Sequence, residues 1–447
     1  MRAARLKIVL VAAFTSAAML IGPDVASATP GSPAGGVAPG TGPGSVLWTS
    51  EHAGDGHAVA ADPKGGIVFV AGSSGLVAYD AGTGAQLWDN AAGDGLSVAV
   101  APDGRIVFVI ERLSTGGGGS DFLTSAFDAA TGNRVWARRY SGCPKVGCVD
   151  IPVALAVSPG GGTVFVAGTS KGRTSGFDYA TVAYSAATGR RLWVSRYNGH
   201  GRSYDQAMAI AVNPRGGAVF VTGTSAFDFA TVAYTAATGA TLWTKRYDRA
   251  GGHDFASSVA VSRDGRRVFV TGASEGRTSA YDFATLAYAA ASGTRLWARR
   301  YGHARPAAVL VSPLGHTVLV AGTSERSRSD TFYLSVAYSA ATGRTQRVSG
   351  FGDPDFETVS ADAAAISPDG RSLYLTGTAA SVPGAPAQAL TVAANIATGA
   401  LTWRQVTEAE EFGRSVAVSP DGGTVYVVLE YFFGTTAQDF IITAFRA

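Results

Sequence analysis

The sequence predicts an all-β fold, an eight-bladed β-propeller of four-stranded blades. Three observations predict it. One phrase recurs along the whole chain, its apolar residues alternate at the period of a strand, and the pieces left over at the two termini complete one another. The phrase is DFATVAYTAATGATLW at 228–243. It returns nearly unchanged at 178–193 and 282–297, and more loosely at 76–88, 121–136, 331–348 and 389–403. A second phrase precedes each copy, as in AIAVNPRGGAVFVT at 209–222 and VAVSPDGGTVYV at 416–427. No stretch carries an apolar stripe at helical spacing.

Within a unit the order is constant. Strand a alternates (258–262) and ends in a Pro/Asp/Gly turn, and strand b is continuously apolar (268–272). A variable loop follows, then strand c (283–288), an Ala-Thr-Gly or Ala-Ser-Gly turn, and strand d (295–300). The turn residues have a mechanism: proline presets φ, and the closing glycine takes the left-handed conformation of a tight hairpin. Strand a recurs near Val59, Val98, Leu155, Ile210, Val259, Val309, Ala364 and Val416, which makes eight units. Strand d carries Trp88, Trp136, Trp193, Trp243, Trp297 and Trp403, with Arg347-Val348 standing in once. The last unit stops after strand c, and its missing strand is found at the front, where Ser45-Val46-Leu47-Trp48 has the strand-d pattern. A ring closed by joining the termini in one sheet accounts for both ends. Four-stranded units repeated radially form a propeller, and units of this length exceed the coil of a β-solenoid. Seven blades is the alternative count.

Ahead of the ring, residues 1–28 read as a signal peptide. Arg2, Arg5 and Lys7 precede an apolar run, and Ala26-Ser27-Ala28 is a cleavage site of small residues. The run is shorter than the ~20 apolar residues that a membrane span needs. Residues 29–44 are rich in Pro, Gly, Ser and Thr and read as a flexible tether, leaving 45–447 for the propeller. The chain carries 36 basic and 33 acidic residues, and without the signal 33 against 32. A near-neutral surface with no basic block excludes electrostatic capture of nucleic acid or anionic lipid. Cys143 and Cys148 are the only cysteines, and in an exported chain a local disulfide is expected.

The phrases at 78–88 and 126–136 resemble the tryptophan-docking motif of quinoprotein-type (PQQ-like) eight-bladed propellers. That resemblance implies packing of each Trp, including Trp48, against the Ala and Gly of a neighbouring blade. The longer phrase at 281–301 also resembles bacterial SBBP-type propeller repeats. Classical enzymes of the quinoprotein family hold PQQ beside a ring of adjacent cysteines, with calcium near a catalytic Asp. Here the cysteines are five positions apart. No cofactor is therefore expected, and PQQ with calcium is the alternative.

A residue repeated in every blade has a structural role. Asp121, Asp178, Asp228 and Asp282, each ahead of a strand c, are accordingly expected to cap loop backbone. Recognition is expected where the blades differ, on the face formed by the b–c loops (114–120, 171–176, 275–280, 325–330, 379–388, 431–438) and the d–a connections. The latter bring His57, Asp94, Asp150, Arg202, Tyr204, Asp205, His253, Asp254, His303, Arg305, Asp355, Glu357 and Arg414 toward the channel mouth. His200, His253 and His303 share one connection in three successive units, and are expected to be solvated rather than a metal cluster. The reading is a secreted or envelope-associated, monomeric binding propeller for a protein or glycan partner on the variable-loop face. Its alternatives are a PQQ-dependent dehydrogenase, and a hydrolase or lyase with acids and His at the channel mouth.

Overall fold

The computed structural model describes residues 41–447 except 92, 144, 146, 173–175, 200–203, 250–251, 277–280, 328–329, 353–354, 383–385, 408–409 and 434–436. The expected signal peptide and most of the tether lie outside the described residues. The chain forms eight four-stranded antiparallel sheets. Blade 1 has strands Gly56–Ala61, Ile67–Gly72, Gly75–Asp80 and Gln86–Asn90 as a to d. Blades 2 to 7 repeat that order along the chain. Each strand a packs on the strands a of the two neighbouring blades, in an unbroken circuit that returns from blade 8 to blade 1, so strand a lines the centre.

Blade 8 takes Glu411–Val418, Thr424–Phe433 and Ala437–Arg446 from the C-terminus, and Val46–Ala53 from the N-terminus pairs with the last of them. The junction rebuilds a c–d turn without a covalent link. In blade 1 the Gly84 N–H donates to Asp80 O (2.9 Å), and the Asp80 N–H to Ala85 O (2.8 Å). In blade 8 the Gly44 N–H donates to Arg446 O (2.8 Å), and the Arg446 N–H to Ser45 O (2.9 Å).

Eight apolar clusters hold the ring, each shared by two adjacent blades. An indole sits in seven of them. Trp243, in strand d of blade 4, donates its Nε1–H to Ala290 O of blade 5 (2.8 Å), between Phe220 of its own blade and Tyr288 of the next. Trp48, Trp88, Trp136, Trp193 and Trp297 donate likewise to Ala81, Ala129, Ala186, Ala236 and Ala340. The turn glycine beneath each ring is required twice over. Gly293 has φ +66, and a Cβ there would lie 2.6 Å from the Trp243 ring. Trp403 rests on Gly44, where a Cβ would come within 2.8 Å of it, so its seat is built from both ends of the chain.

The seam between blades 6 and 7 departs from this plan at three positions together. Leu319, Arg347 and Ala394 stand where the other seams have a Phe or Tyr, a Trp, and a Tyr or Phe. The Arg347 guanidinium donates to Ala397 O and Thr398 O of blade 7. A small pocket remains beside it, lined by Leu319, Ala337, Leu373 and Ala394 among others.

Two outcomes test this account of the seams. Trp243→Ala should cost about 3–5 kcal/mol in chemical denaturation, and a loss below about 1 kcal/mol would show that the ring contributes little. Arg347→Trp should restore an indole over the Gly399 turn and raise stability by about 1 kcal/mol. A lowered midpoint would mean that the Arg347 carbonyl contacts hold that seam better than an indole does.

Candidate interaction face

The b–c and d–a connections emerge together on one face, because strand a starts where its antiparallel partner b ends. Three of the loops expected there are largely strand: pairing continues to Thr115↔Gly119, Ser327↔Asp330 and Phe433↔Ala437. Blades 2, 6 and 8 thus present long hairpins, the one in blade 6 with a bulge between Glu325 and Ser327.

The first residue of strand a in blades 3, 4 and 5 is Asp150, Asp205 and Asp254, and each is fully buried. They hold loop backbone. Asp150 accepts the N–H of Gly142 (2.7 Å) and of Lys171 (3.1 Å), Asp205 that of Gly199 (2.7 Å), and Asp254 that of Arg249 (2.9 Å). Burial pushes the Asp150 and Asp254 carboxyls above their usual range, and these hydrogen bonds offset part of it.

The aspartates ahead of strand c behave differently from the expected backbone caps. Asp121, Asp178, Asp228 and Asp282 each pair with the penultimate arginine of strand d in the same blade: Arg139, Arg196 (2.8 Å), Arg246 (2.6 Å) and Arg300 (2.7 Å). The register explains it, since Ala230 opposes Arg246 and leaves the neighbouring Asp228 within reach. Arg196 and Arg300 also donate to Tyr140 and Tyr247 of the preceding blades, which ties neighbouring blades together below the surface. Only Asp282 also accepts a described backbone N–H, that of His303 (3.2 Å).

Above this layer lies a chain of aromatic rings. Tyr204 meets Phe177 edge-on (4.9 Å). Phe227 meets His253 (4.6 Å), His253 stacks on Phe255 (6.0 Å), Phe255 contacts Tyr281 (6.1 Å), and Arg305 lies over Tyr281 (5.1 Å). Tyr204, Phe227 and Phe255 are 45%, 57% and 38% exposed. The blade 4 turn holding Phe227 is strained. Ala226 and Phe227 have φ +48 and +69, values that a two-residue hairpin normally assigns to Asn and Gly. His303, also at positive φ (+54), is exposed. Glu357 is exposed, and Asp355 pairs with Arg404 (3.2 Å). His200 and Arg202 lie outside the described residues. Among the described residues, the group of side chains able to share a metal ion is Asp228, Asp248 and Asp254, with no histidine in it.

The opposite arc, blades 7, 8, 1 and 2, is acidic. Arg414 pairs with Glu430 and lies over Phe412 (5.4 Å). His57 hydrogen-bonds Gly95 O through Nδ1 (3.0 Å), and Asp94 is also close to Arg112 (3.6 Å). Asp362 is pushed up to about 6, by burial first, with Arg414 opposing and Glu430 adding. Glu111 is pushed up to about 7 by burial. Neither Glu111 oxygen has a hydrogen bond of ordinary geometry, and the nearby Ser125 and Arg134 offset only part of the desolvation.

Sequence reasoning passed over Glu111, Asp362 and Glu430, and with them Phe227, Phe255 and Tyr281. For Glu111 a signal existed. It occupies the strand-b position that is Gly72, Gly168, Gly223, Gly272, Gly322 and Gly377 in six other blades.

The chain was compared with known proteins on this footing. The family model described as outer membrane protein assembly factor BamB matches it twice, over residues 36–193 and 178–430. No curated protein matches the sequence. Among solved structures it is similar to the quinohemoprotein alcohol dehydrogenase ADHIIG of Pseudomonas putida HK5, at 13% identity and TM-score 0.59, over 90% of this chain and 76% of that one. It is similar to BamB from Moraxella catarrhalis at 15% identity and TM-score 0.55, over 90% and 99%. The C-terminal WD40 domain of Sif2 aligns at 10% identity and TM-score 0.58, over 89% and 98%. Identities this low show the shared fold alone.

Glu111 gives the face a measurable pH dependence. Its folded-state pKa lies above the unfolded value, so the unfolded chain loses the proton first as pH rises. The stability of the native chain should therefore fall between about pH 4.5 and 7 by on the order of 3 kcal/mol at this position. In urea denaturation Glu111→Gln should match the native chain near pH 4.5 and exceed it at pH 8. A pH-independent gap would contradict the buried carboxyl.

Proposed function

Because the chain belongs to the family described as outer membrane protein assembly factor BamB, as a PQQ-like β-propeller repeat protein, we propose that it is a non-catalytic scaffold that holds a protein partner on its variable-loop face. The observation that carries the reading is the exposed aromatic chain from Phe227 to Arg305, with the Tyr204–Phe177 pair beside it. Exposed aromatic rings beside an arginine have the composition of protein-interface hot spots. The strained Ala226-Phe227 turn supports it, because strain that keeps an apolar ring in water is retained at functional positions. The charged residues of the same arc favour binding over chemistry, since Asp150, Asp205 and Asp254 are engaged with backbone and Asp178, Asp228 and Asp282 with arginines.

In this reading the seven indole seats are the tryptophan docking that the quinoprotein resemblance implies, retained as architecture. The proposal includes no quinone. Cys143 and Cys148 are joined in a disulfide five positions apart, in the connection between blades 2 and 3, and do not make the adjacent pair of that family's enzymes. We propose export to the envelope or beyond it, from the basic and apolar start and from a disulfide that an oxidising compartment preserves. Among the described residues no helix is long and apolar enough to cross a membrane. The scaffold is proposed to act as a monomer.

Retention of envelope proteins by the immobilised chain tests the reading, with the Phe227→Ala/Phe255→Ala variant alongside. The native chain should retain a defined set of proteins, and the variant should lose them by about tenfold or more, as hot-spot aromatics do. Equal retention by both would remove the aromatic face as the site. Retention that survives digestion of the envelope proteins would make the partner a glycan.

A further inference from the structure

Beneath the aromatic chain, at the seam of blades 4 and 5, we propose a calcium site formed by Asp228, Asp248 and Asp254. Asp228 opens strand c of blade 4, Asp248 follows its strand d, and Asp254 opens strand a of blade 5. Each offers a carboxylate oxygen, and the three oxygens lie within 4.8 Å of one another. Three carboxylate oxygens suit a hard cation, and calcium accepts irregular oxygen cages where magnesium demands near-ideal octahedral geometry.

An independent feature points to a ligand. Asp254 is fully buried, its Oδ2 accepts the Arg249 N–H, and its Oδ1 has no hydrogen bond of ordinary geometry, the nearby Ser274 hydroxyl offsetting only part of the desolvation. The equivalent Asp150 in blade 3 uses both oxygens, the second on the N–H of Lys171. In blade 5 the corresponding N–H, of Glu275, bonds His253 O (2.9 Å), as Lys171 bonds Val149 O (3.2 Å), but it is not shared with Asp254 Oδ1. That leaves a buried carboxylate oxygen unmatched, an expensive arrangement unless a cation completes it. Arg246 on Asp228 and Arg300 near Asp254 offset part of the negative charge without meeting that oxygen.

The repeat supplies its own controls. At the same three positions the preceding seam has Asp178, Asn198 and Asp205, and the one before it Asp121, Ser141 and Asp150. Of these three seams only that of blades 4 and 5 has a third carboxylate. Its consequence would be mechanical: Asp228 adjoins Phe227, Asp254 lies between His253 and Phe255, and the Asp254 N–H donates to Phe227 O (2.6 Å). A bound ion would fix those rings from below. The site stands on its donor set and does not depend on the partner reading.

The test is calorimetric titration of calcium, and separately magnesium, into the metal-stripped full chain, with melting as a second readout. Asp248→Asn is the informative variant, because Asn198 shows that the fold accepts asparagine at that position. Calcium should bind with one-to-one stoichiometry and raise the melting midpoint, and Asp248→Asn should weaken binding by about tenfold or more, since ligand charge sets affinity in such sites. Absence of calcium binding, equal binding by Asp248→Asn, or equal response to magnesium would overturn the proposal.

Discussion

The ring depends on one contact, the indole of strand d seated on the glycine turn of the following blade. A blade by itself cannot bury both faces of its sheet, and the eight shared clusters do so only if neighbours stay in register. The indole sets that register with a shape that fits only above a glycine and a polar edge that reaches a carbonyl. The chain ends inside such a turn. Because Gly44, Ser45 and Arg446 reproduce its hydrogen bonds, the blade that closes the ring is completed to four strands like the others.

Rigid seams leave the variable-loop face free to differ around the ring. Its two arcs have opposite character. Blades 3 to 5 carry exposed aromatic rings over a layer of Asp–Arg pairs, and blades 7, 8, 1 and 2 gather acids raised by burial. Half-buried ion pairs add little net stability, but they orient the strand ends on which the rings stand. The strain at Ala226 and Phe227 is tolerable for the same reason: the surrounding sheet overdetermines the turn.

Much of the architecture was legible in the repeat, down to the borrowed strand and the count of eight. The face was less so. Asp150, Asp205 and Asp254 look like exposed loop acids in sequence, yet in these three blades the start of strand a is fully enclosed. The Asp–Arg pairing was hidden because its partners are 18 residues apart and meet only through the c–d register. Glu111 could have been found as the residue that breaks the glycine column of strand b.

Sequence alone determined fold class, strand order and ring closure, because those follow from local periodicity and turn chemistry copied eight times. Tertiary structure alone decided which side chains of neighbouring blades meet. The gathering of Phe227, His253, Phe255, Tyr281 and Arg305 into one surface arises from radial stacking, which brings together residues a whole blade apart in the chain. The convergence of Asp228, Asp248 and Asp254 has the same origin. No local pattern encodes that distance, since it depends on the angle at which one sheet packs against the next.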